Sequence, residues 1–138
     1  MELVFAFLTT AAEQAIGGSL HLFGADFDTV GASSFPLHMP PFTLVAKFRF
    51  SPEEVSVDHK LSVFLDEPNG ETVSIVEPTK INLTLNGNDP TRPAAGTVLL
   101  KIGMKFETPG EYRFNIKVDG VAVTTLPLVL QQSDEPSS

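Results

Sequence analysis

Hydrophobic and polar residues alternate with a period of two along most of the chain. One face of residues 97–106 carries Val98, Leu100, Ile102, Met104 and Phe106. The same alternation recurs in residues 44–50, 61–65, 81–85 and 112–118. Because successive side chains of a strand point to opposite faces, whereas a helix spreads them around its axis, the pattern predicts half-buried β-strands.

Proline, glycine and asparagine separate these runs at short intervals and predict turns. Asp119 and Gly120 lie between two alternating runs. This predicts a hairpin with a type I′ turn, since both central residues of that turn need a positive φ. Residues 10–16 are the only segment whose pattern allows a helical turn. The predicted strands, about nine or ten in all, cover residues 2–9, 18–24, 26–31, 42–50, 59–66, 71–76, 79–86, 97–106, 111–119 and 121–130.

The spacing of the strands predicts the fold class. Many short strands without a helical pattern are typical of an all-β protein, and we predict an antiparallel, immunoglobulin-like β-sandwich. Tyr112 follows the Pro109-Gly110 turn, as in a tyrosine corner, where the hydroxyl bonds to the preceding backbone. We expect a single β-sandwich domain over residues 1–130 and a flexible, acidic tail over residues 131–138.

Composition limits the function classes. The 138 residues suffice for one domain with its own core, and 42% hydrophobic with 19% charged residues is typical of a globular chain. The chain has no cysteine, which excludes disulfides, thiolate catalysis and cysteine-ligated metals. A net charge of -8 opposes nucleic-acid binding. No apolar run is long enough to cross a bilayer, and the first residues do not resemble an export signal. We therefore expect a cytoplasmic protein without membrane association.

Cations and carboxylates are distributed differently along the chain. Six of the nine Lys and Arg residues fall on the polar faces of three alternating strands, namely Lys47, Arg49, Lys101, Lys105, Arg113 and Lys117. Most carboxylates lie in loops and at strand ends. If the three strands are neighbours, one sheet has a basic outer face, which would dock an acidic partner or the acidic loops of another copy. Alternatively, these cations only protect exposed strands from aggregation.

Histidines and aspartates are the other candidates for chemistry. His21, His38 and His59 lack metal-ligand spacing, and we expect His21 and His59 to be surface residues of strands. Asp26 and Asp28 share one face of a predicted strand, but two carboxylates alone make a poor cation site. We therefore predict no metal site, no cofactor and no catalytic residues.

Loops at one end of the sandwich are the alternative site. Gly24 to Asp28 and Asn86 to Arg92 would border a pocket if the protein binds a small ligand or a carbohydrate. A hydrolase would require two carboxylates, or a histidine and a carboxylate, within hydrogen-bonding distance in such a pocket. We interpret Gly17-Gly18 as a turn and Gly24 as a bend, since neither precedes a helix N-terminus that binds phosphate.

Three segments resemble a bacterial family of unknown function. LTTAAEQAIGGSLHLFGADFDTV resembles its opening, in which a short strand leads to a small polar segment AD-x-A-x and then to GKL-x-x-x-G. FPLHMPPFTLVAKFRFSPEE resembles its proline-led strand and acidic turn, and PGEYRFNIKVDG resembles its closing hairpin. The chain departs from the pattern at Thr10-Ala11-Ala12, Ser19 and Phe114, where the family has alanine-aspartate, lysine and tryptophan. The resemblance implies an all-β sandwich in a bacterial or phage-encoded protein, with no assigned activity.

These observations predict a non-catalytic structural or protein-interaction module, with self-association as one form of the interaction. Its partner would be another protein or a second copy, and the six cations are the predicted partner-binding residues. A β-sandwich module that binds a small ligand or a carbohydrate is the alternative.

Overall fold

The computed structural model describes residues 1–14, 19–84 and 94–132, with the side chain of Thr84 left out. Its strands are β1 (Glu2–Gln14), β2 (Leu20–Ala25), β3 (Thr29–Ala32), β4 (Leu37–His38), β5 (Phe42–Phe50), β6 (Lys60–Asp66), β7 (Thr72–Lys80), β8 (Leu83–Thr84), β9 (Ala94–Ile102), β10 (Lys105–Phe106), β11 (Gly110–Val118) and β12 (Val121–Gln132). Within these residues the only helical element is a short 3-10 helix, Glu54–Ser56. The prediction of an all-β chain is confirmed.

The strand boundaries differ from the prediction in four places. Asp26 to Asp28 lie between β2 and β3 and not in a strand, and β7 continues from Thr72 to Lys80 where the pattern predicts a break after residue 76. The predicted strand over residues 97–106 is interrupted, so that β9 ends at Ile102 and β10 begins at Lys105. Residues 10–14 continue β1 and pair with β2, so the helical turn is wrong over that part. Gly17-Gly18, residues 85–93 and the tail from residue 133 lie outside the described residues.

Ten strands form two five-stranded sheets. The β5 sheet has the order β2-β1-β5-β9-β8, and the β11 sheet has the order β3-β12-β11-β6-β7. Strands β4 and β10 pair with each other separately. Among the described pairs, β3 and β12 are parallel and the others are antiparallel.

Side chains from both sheets form one buried core. The inward face of β5 contributes Leu44, Phe48 and Phe50, and all three are fully buried. Phe42 of β5 and Phe114 of β11 meet edge to face, with ring centroids 6.0 Å apart. Because burial of apolar surface is the main favourable contribution to folding, this shared core is what holds the two sheets against each other.

Two turns on β11 match their sequence signatures. The Tyr112 hydroxyl donates a hydrogen bond of 2.7 Å to the Thr108 carbonyl oxygen, as expected of a tyrosine corner. Asp119 and Gly120 both have a positive φ, 53° and 80°, as the type I′ turn requires. Both ends of β11 are therefore fixed by local chemistry.

Candidate functional site

The six cations selected from the sequence do not share a face. Lys47 and Arg49 lie on β5, Lys101 on β9, Lys105 on β10, and Arg113 and Lys117 on β11. The condition for one basic sheet face is not met, because β5 and β9 are neighbours in one sheet, β10 pairs only with β4, and β11 belongs to the other five-stranded sheet. Alternation is a local pattern, and long-range pairing decides which strands are neighbours.

The cations of β11 have partners on their own surface. Arg113 Nε lies 3.2 Å from Glu111 Oε1. Lys117 Nζ lies 4.7 Å from the centroid of the Phe64 ring, which is a cation–π distance. Both side chains are thus held by neighbours on the β11 sheet.

A chain of hydrogen bonds crosses the outer face of the β11 sheet. The Thr72 hydroxyl donates to Asp66 Oδ1 at 2.6 Å, and Asn115 Nδ2 donates to Asp66 Oδ2 at 2.8 Å. The Thr125 hydroxyl in turn donates to Asn115 Oδ1 at 2.8 Å. The hydrogen bond from Thr72, followed by that from Asn115, lowers the pKa of Asp66. These polar groups link four strands and satisfy one another.

The outer face of the β5 sheet is apolar at its centre. Phe7 lies opposite Val45, and Val45 lies opposite Leu99. Phe5 stacks on Phe7, with ring centroids 5.4 Å apart and an interplanar angle of 26°. Val45 is fully buried without belonging to the core between the sheets, because its neighbours on the outer face cover it. We call Phe5, Phe7, Val45 and Leu99 the outer apolar patch.

Cations border the outer apolar patch. Lys47 lies opposite Phe5, and Lys101 lies on the same face of β9 as Leu99. Arg49 is 3.7 Å from Glu2, whereas Lys47 and Lys101 have no carboxylate at ion-pair distance within the described residues. Three of the six predicted cations therefore lie together around an apolar centre.

The sequence contains a signal for this patch that period-two alternation does not capture. Residues 3–8 are apolar at every position, so β1 has apolar side chains on both faces. Val45 and Leu99 likewise interrupt the polar sides of their strands. Strands that are apolar on both sides are typical of a sheet that is covered on both faces.

His59 is buried and joins three segments of the chain. Its side chain is only 10% exposed, so the expectation of a surface residue is wrong. Nδ1 lies 2.7 Å from Asp119 Oδ2, and Nε2 lies 2.7 Å from the Glu54 carbonyl oxygen. The ring stacks on Phe50 with centroids 4.5 Å apart. His59 thus ties the start of β6 to the 3-10 helix and to the turn between β11 and β12.

Both ring nitrogens of His59 face acceptors, which favours the doubly protonated ring. The Asp119 carboxylate, followed by the Glu54 carbonyl, raises the pKa of His59 against the opposing effect of burial. The pKa of Asp119 is lowered by His59 and by the Lys60 backbone N–H, which donates to Oδ1 at 3.0 Å. A ring occupied at both nitrogens has no free lone pair to accept a proton from a substrate.

The Glu54 side chain is held by two further donors. The amino group of Met1 lies 2.6 Å from Oε1 and 2.7 Å from Oε2, and the Ser51 backbone N–H donates to Oε1 at 2.9 Å. The amino group is the larger cause and the Ser51 N–H the next, and together they lower the pKa of Glu54 to about 2. This contact fixes the same 3-10 helix that His59 contacts through its backbone.

The predicted loop-end site contains an apolar recess. Its volume is about 550 Å³. Its walls are chiefly Phe27, Val30, Met39, Pro40, Pro41 and Phe42. Gly24 to Asp28 contributes only Phe27 to the lining, and Asn86 to Arg92 lies outside the described residues. Within the described chain, no three His, Cys, Asp or Glu side chains are placed to hold a metal ion.

A family model places the chain among known sequences. The model of a family of unknown function, DUF6941, matches residues 4–131. The chain belongs to the DUF6941 family. This confirms the resemblance to a family of unknown function. The bacterial or phage origin of this DUF6941 chain, and the motifs that carry the resemblance, stay predictions.

Two further comparisons add little to the DUF6941 assignment. No curated protein matches the chain. A solved structure, "Pseudomonas fluorescens alkylpurine DNA glycosylase AlkC bound to DNA containing an abasic site analog", aligns with a TM-score of 0.45 and 8% identity over 94% of this chain. The chain spans 30% of that glycosylase chain, and a likeness of this size carries no argument about function. No helix in the described part of this DUF6941 chain is long and apolar enough to span a membrane.

Proposed function

We propose that this chain is a non-catalytic protein-interaction module with an immunoglobulin-like β-sandwich fold, and that its partner docks on the outer face of the β5 sheet. The observation that carries the proposal is the outer apolar patch, in which the stacked rings of Phe5 and Phe7 lie beside Val45 and Leu99. Single apolar residues on a surface need no explanation, but a contiguous group marks an interaction site. Aromatic side chains are enriched in such sites because each buries a large area.

Charge around the patch favours an acidic partner. Lys47, Arg49 and Lys101 border the patch on a chain whose net charge is -8. A second copy docked face to face would bring these same cations against one another, which opposes a symmetric dimer. An acidic segment of another protein that also carries apolar side chains complements both the patch and its border. We therefore propose such a segment as the occupant.

The edge of β9 favours an extended partner. Strand β5 pairs with all nine residues of β9. In the described part of the chain, β8 pairs only with Ala95 and Gly96. A strand edge with free N–H and C=O groups accepts an added strand, whose alternate side chains then contact one face of the sheet. If the partner adds a strand along residues 97–102, every second side chain of the partner would lie beside Leu99 and Lys101.

The non-catalytic part of the proposal rests on His59. Among the described residues, His59 and Asp119 form a histidine–carboxylate pair at 2.7 Å, and His59 borders a recess of about 310 Å³. A hydrolase would use such a pair with one ring nitrogen free for the substrate. Here the second nitrogen is 2.7 Å from the Glu54 carbonyl oxygen, which favours a stabilising role for the pair.

Selection from a displayed library of short random peptides tests the docking proposal. Wild-type protein should enrich peptides that alternate apolar with Asp or Glu residues. Phe5→Ser should weaken a selected peptide about 30-fold, the typical cost of truncating a central aromatic side chain in an interface. Lys47→Glu should weaken it most at low salt, because charges at the border act mainly through long-range attraction.

Arg113→Glu is the matched control, since it makes the same kind of charge reversal on the β11 sheet. It should leave peptide binding unchanged. Thermal unfolding of each variant verifies that the fold is retained. Equal loss of binding in Arg113→Glu and Lys47→Glu, or enrichment of basic peptides, overturns the proposal. Light scattering at two salt concentrations tests whether a second copy of the chain occupies the patch instead. Self-association that Phe5→Ser abolishes would identify a second copy as the partner and overturn the proposal of an acidic segment from another protein.

A further inference from the structure

The free edge of β2 lacks the features that protect a sheet edge. In the order β2-β1-β5-β9-β8, β2 is an end strand, and among the described residues it pairs only with β1. Its six residues, LHLFGA, include no Lys, Arg, Asp, Glu or Pro. Natural proteins blunt a free edge with charges, proline, a bulge or a very short strand, because an unprotected edge recruits another strand.

The other end strands of the two five-stranded sheets have such protection. Strand β7 contains Glu77, Pro78 and Lys80, and its pairing with β6 has two register shifts. Strand β3 has four residues and β8 has two. Within the part of the chain that the structure describes, β2 is therefore the end strand that is both uncharged and long enough to pair over several residues.

Apolar side chains on both faces of β2 are accessible at this edge. Phe23 is 66% exposed and lies opposite Ala11, on the face of β1 that carries Phe7. Leu20 and Leu22 lie on the other face, where they are half-buried and neither belong to the core nor pack against it. A further strand at this edge would bury apolar surface on both faces of β2.

The backbone groups of Leu22 point to the free edge. The Phe23 carbonyl oxygen accepts hydrogen bonds from the Thr9 and Thr10 hydroxyls at 2.6 and 2.5 Å, so it faces β1. Because successive residues of a strand point their backbone groups to opposite sides, the N–H and C=O of Leu22 face away from β1. These groups can therefore pair with an added strand.

We propose that β2 pairs antiparallel with β2 of a second copy of this chain, centred on Leu22. The two Leu22 residues exchange a pair of backbone hydrogen bonds, and His21 of each copy lies opposite Phe23 of the other. The His21 and Phe23 positions do not hydrogen-bond to each other, so their side chains approach most closely there and form a cross-strand aromatic pair. Gly24, whose φ is 58°, lies at the end of the paired residues 20–24.

Self-complementarity of this register favours a second copy as the occupant. It forms two identical aromatic pairs, and β2 has no charged side chain that would repel its counterpart. Since directly opposite side chains share one face, both outer apolar patches lie on the same side of a joined sheet with five strands from each copy. The dimer goes beyond the proposed docking function, because β1 and β5 separate β2 from β9 and both patches stay uncovered.

Sedimentation analysis over a range of protein concentrations tests the dimer. Residues 20–24 of two copies bury less than the about 1,200 Å² of a stable interface, so we expect a reversible dimer with a Kd on the order of 0.1 mM. Added salt should not weaken it, because the edge forms no ion pair and salt screens the repulsion between copies with a net charge of -8. A monomer at about 1 mM, or a dimer that salt dissociates, overturns the proposal.

Phe23→Lys should weaken dimerisation at least about tenfold, because each dimer loses two aromatic pairs and has to desolvate two ammonium groups. Val121→Lys is the matched control, since Val121 is 68% exposed and lies on β12 of the β11 sheet. It should dimerise like the wild type, and an equal loss in both variants overturns the assignment to β2. Phe5→Ser should also dimerise like the wild type, so this proposal and the docking proposal fail separately.

Single cysteines test the register, since the chain has none of its own. Leu22→Cys places two Cβ atoms directly opposite each other, about 5 Å apart. Leu20→Cys is the matched control on the same face of β2, and it places them four residues apart along the strands, roughly 13 Å. A short bis-maleimide should link Leu22→Cys into a covalent dimer and leave Leu20→Cys monomeric. Equal linkage of both variants, or linkage of neither, overturns the pairing centred on Leu22.

Discussion

Replacing Asp119 by Asn isolates the charge in the contact that joins His59 to the turn between β11 and β12. Asp119 has φ of 53°, and asparagine tolerates this left-handed conformation about as well as aspartate, so the turn is retained. The substitution removes the carboxylate that lies 2.7 Å from His59 Nδ1. Little else should change, because the side chain keeps its shape and its acceptor for the Lys60 N–H.

The magnitude follows from the environment of the pair. A hydrogen bond to a charged group contributes about 1.5–3 kcal/mol. The Asp119 side chain is 47% exposed, so water competes with it and the lower end applies. We expect Asp119→Asn to lower the free energy of unfolding by about 1.5 kcal/mol at about pH 5.5, and by less than about 1 kcal/mol at about pH 9.

The direction of the pH dependence follows from the two pKa shifts. The pKa of His59 is raised above 6.5, so its stabilisation is complete below that value and is lost as the pH rises through the raised pKa. The pKa of Asp119 is lowered below 3.8, so its stabilisation is present above that value and is lost as the pH falls through the lowered pKa. The free energy of unfolding of the wild type should therefore exceed that of the variant most between pH 3.8 and 6.5.

Urea denaturation of both proteins at the two pH values measures the difference in the free energy of unfolding. Titration of the His59 ring by NMR should give a lower pKa in the variant. Asp58→Asn is the matched control, since Asp58 precedes His59, lies 3.5 Å from Lys80 and is 72% exposed. A difference between wild type and Asp119→Asn that is the same at both pH values, or an unchanged His59 pKa, would refute the reasoning.

Three other substitutions test the fold, each measured by urea denaturation. Gly96→Ala should destabilise the protein by about 1–3 kcal/mol, because an added Cβ would lie 2.6 Å from Cγ2 of buried Ile81. An unchanged free energy of unfolding would contradict this close approach. Tyr112→Phe should cost about 0.5–1.5 kcal/mol through loss of the hydroxyl bond to the Thr108 carbonyl oxygen, and wild-type stability would exclude a contribution from that bond. Asp66→Asn should reduce the loss of stability on acidification, because the pKa of Asp66 is lowered and its stabilisation disappears as the pH falls through that pKa; identical acid profiles would exclude this contribution.

Much of the fold follows from local sequence patterns. The inward face of β5 is the set of alternate apolar residues from Leu44 to Phe50, and all of these are buried in the core between the sheets. The turn at Asp119-Gly120 and the hydroxyl bond of Tyr112 depend on the residues next to them in the chain. Such features are predictable because the backbone conformation of a turn and the period of a strand are set over a few residues.

The candidate sites were less predictable because they depend on pairing between distant strands. Lys101 lies opposite Thr43, which is 58 residues earlier in the chain, only because β9 pairs with β5. His59 shows the same dependence: Asp119 reaches its ring from the far end of the described chain, and a lone histidine in a strand has no local signal for such a partner. Whether a polar residue is exposed is decided by what packs on it.

The sequence by itself determined the all-β character of this protein, the position of most strands and the inward face of those that alternate clearly, such as β5 and β11, because alternation and turn residues act locally. Only the tertiary structure decided that the six cations are divided among three sheets, that Phe5, Phe7, Val45 and Leu99 meet on one outer face, and that a recess lies beside Lys101. The physical reason is that strand order and register are chosen by the free energy of the whole core. Many orders are compatible with one pattern of alternation, and a single order buries this set of side chains together.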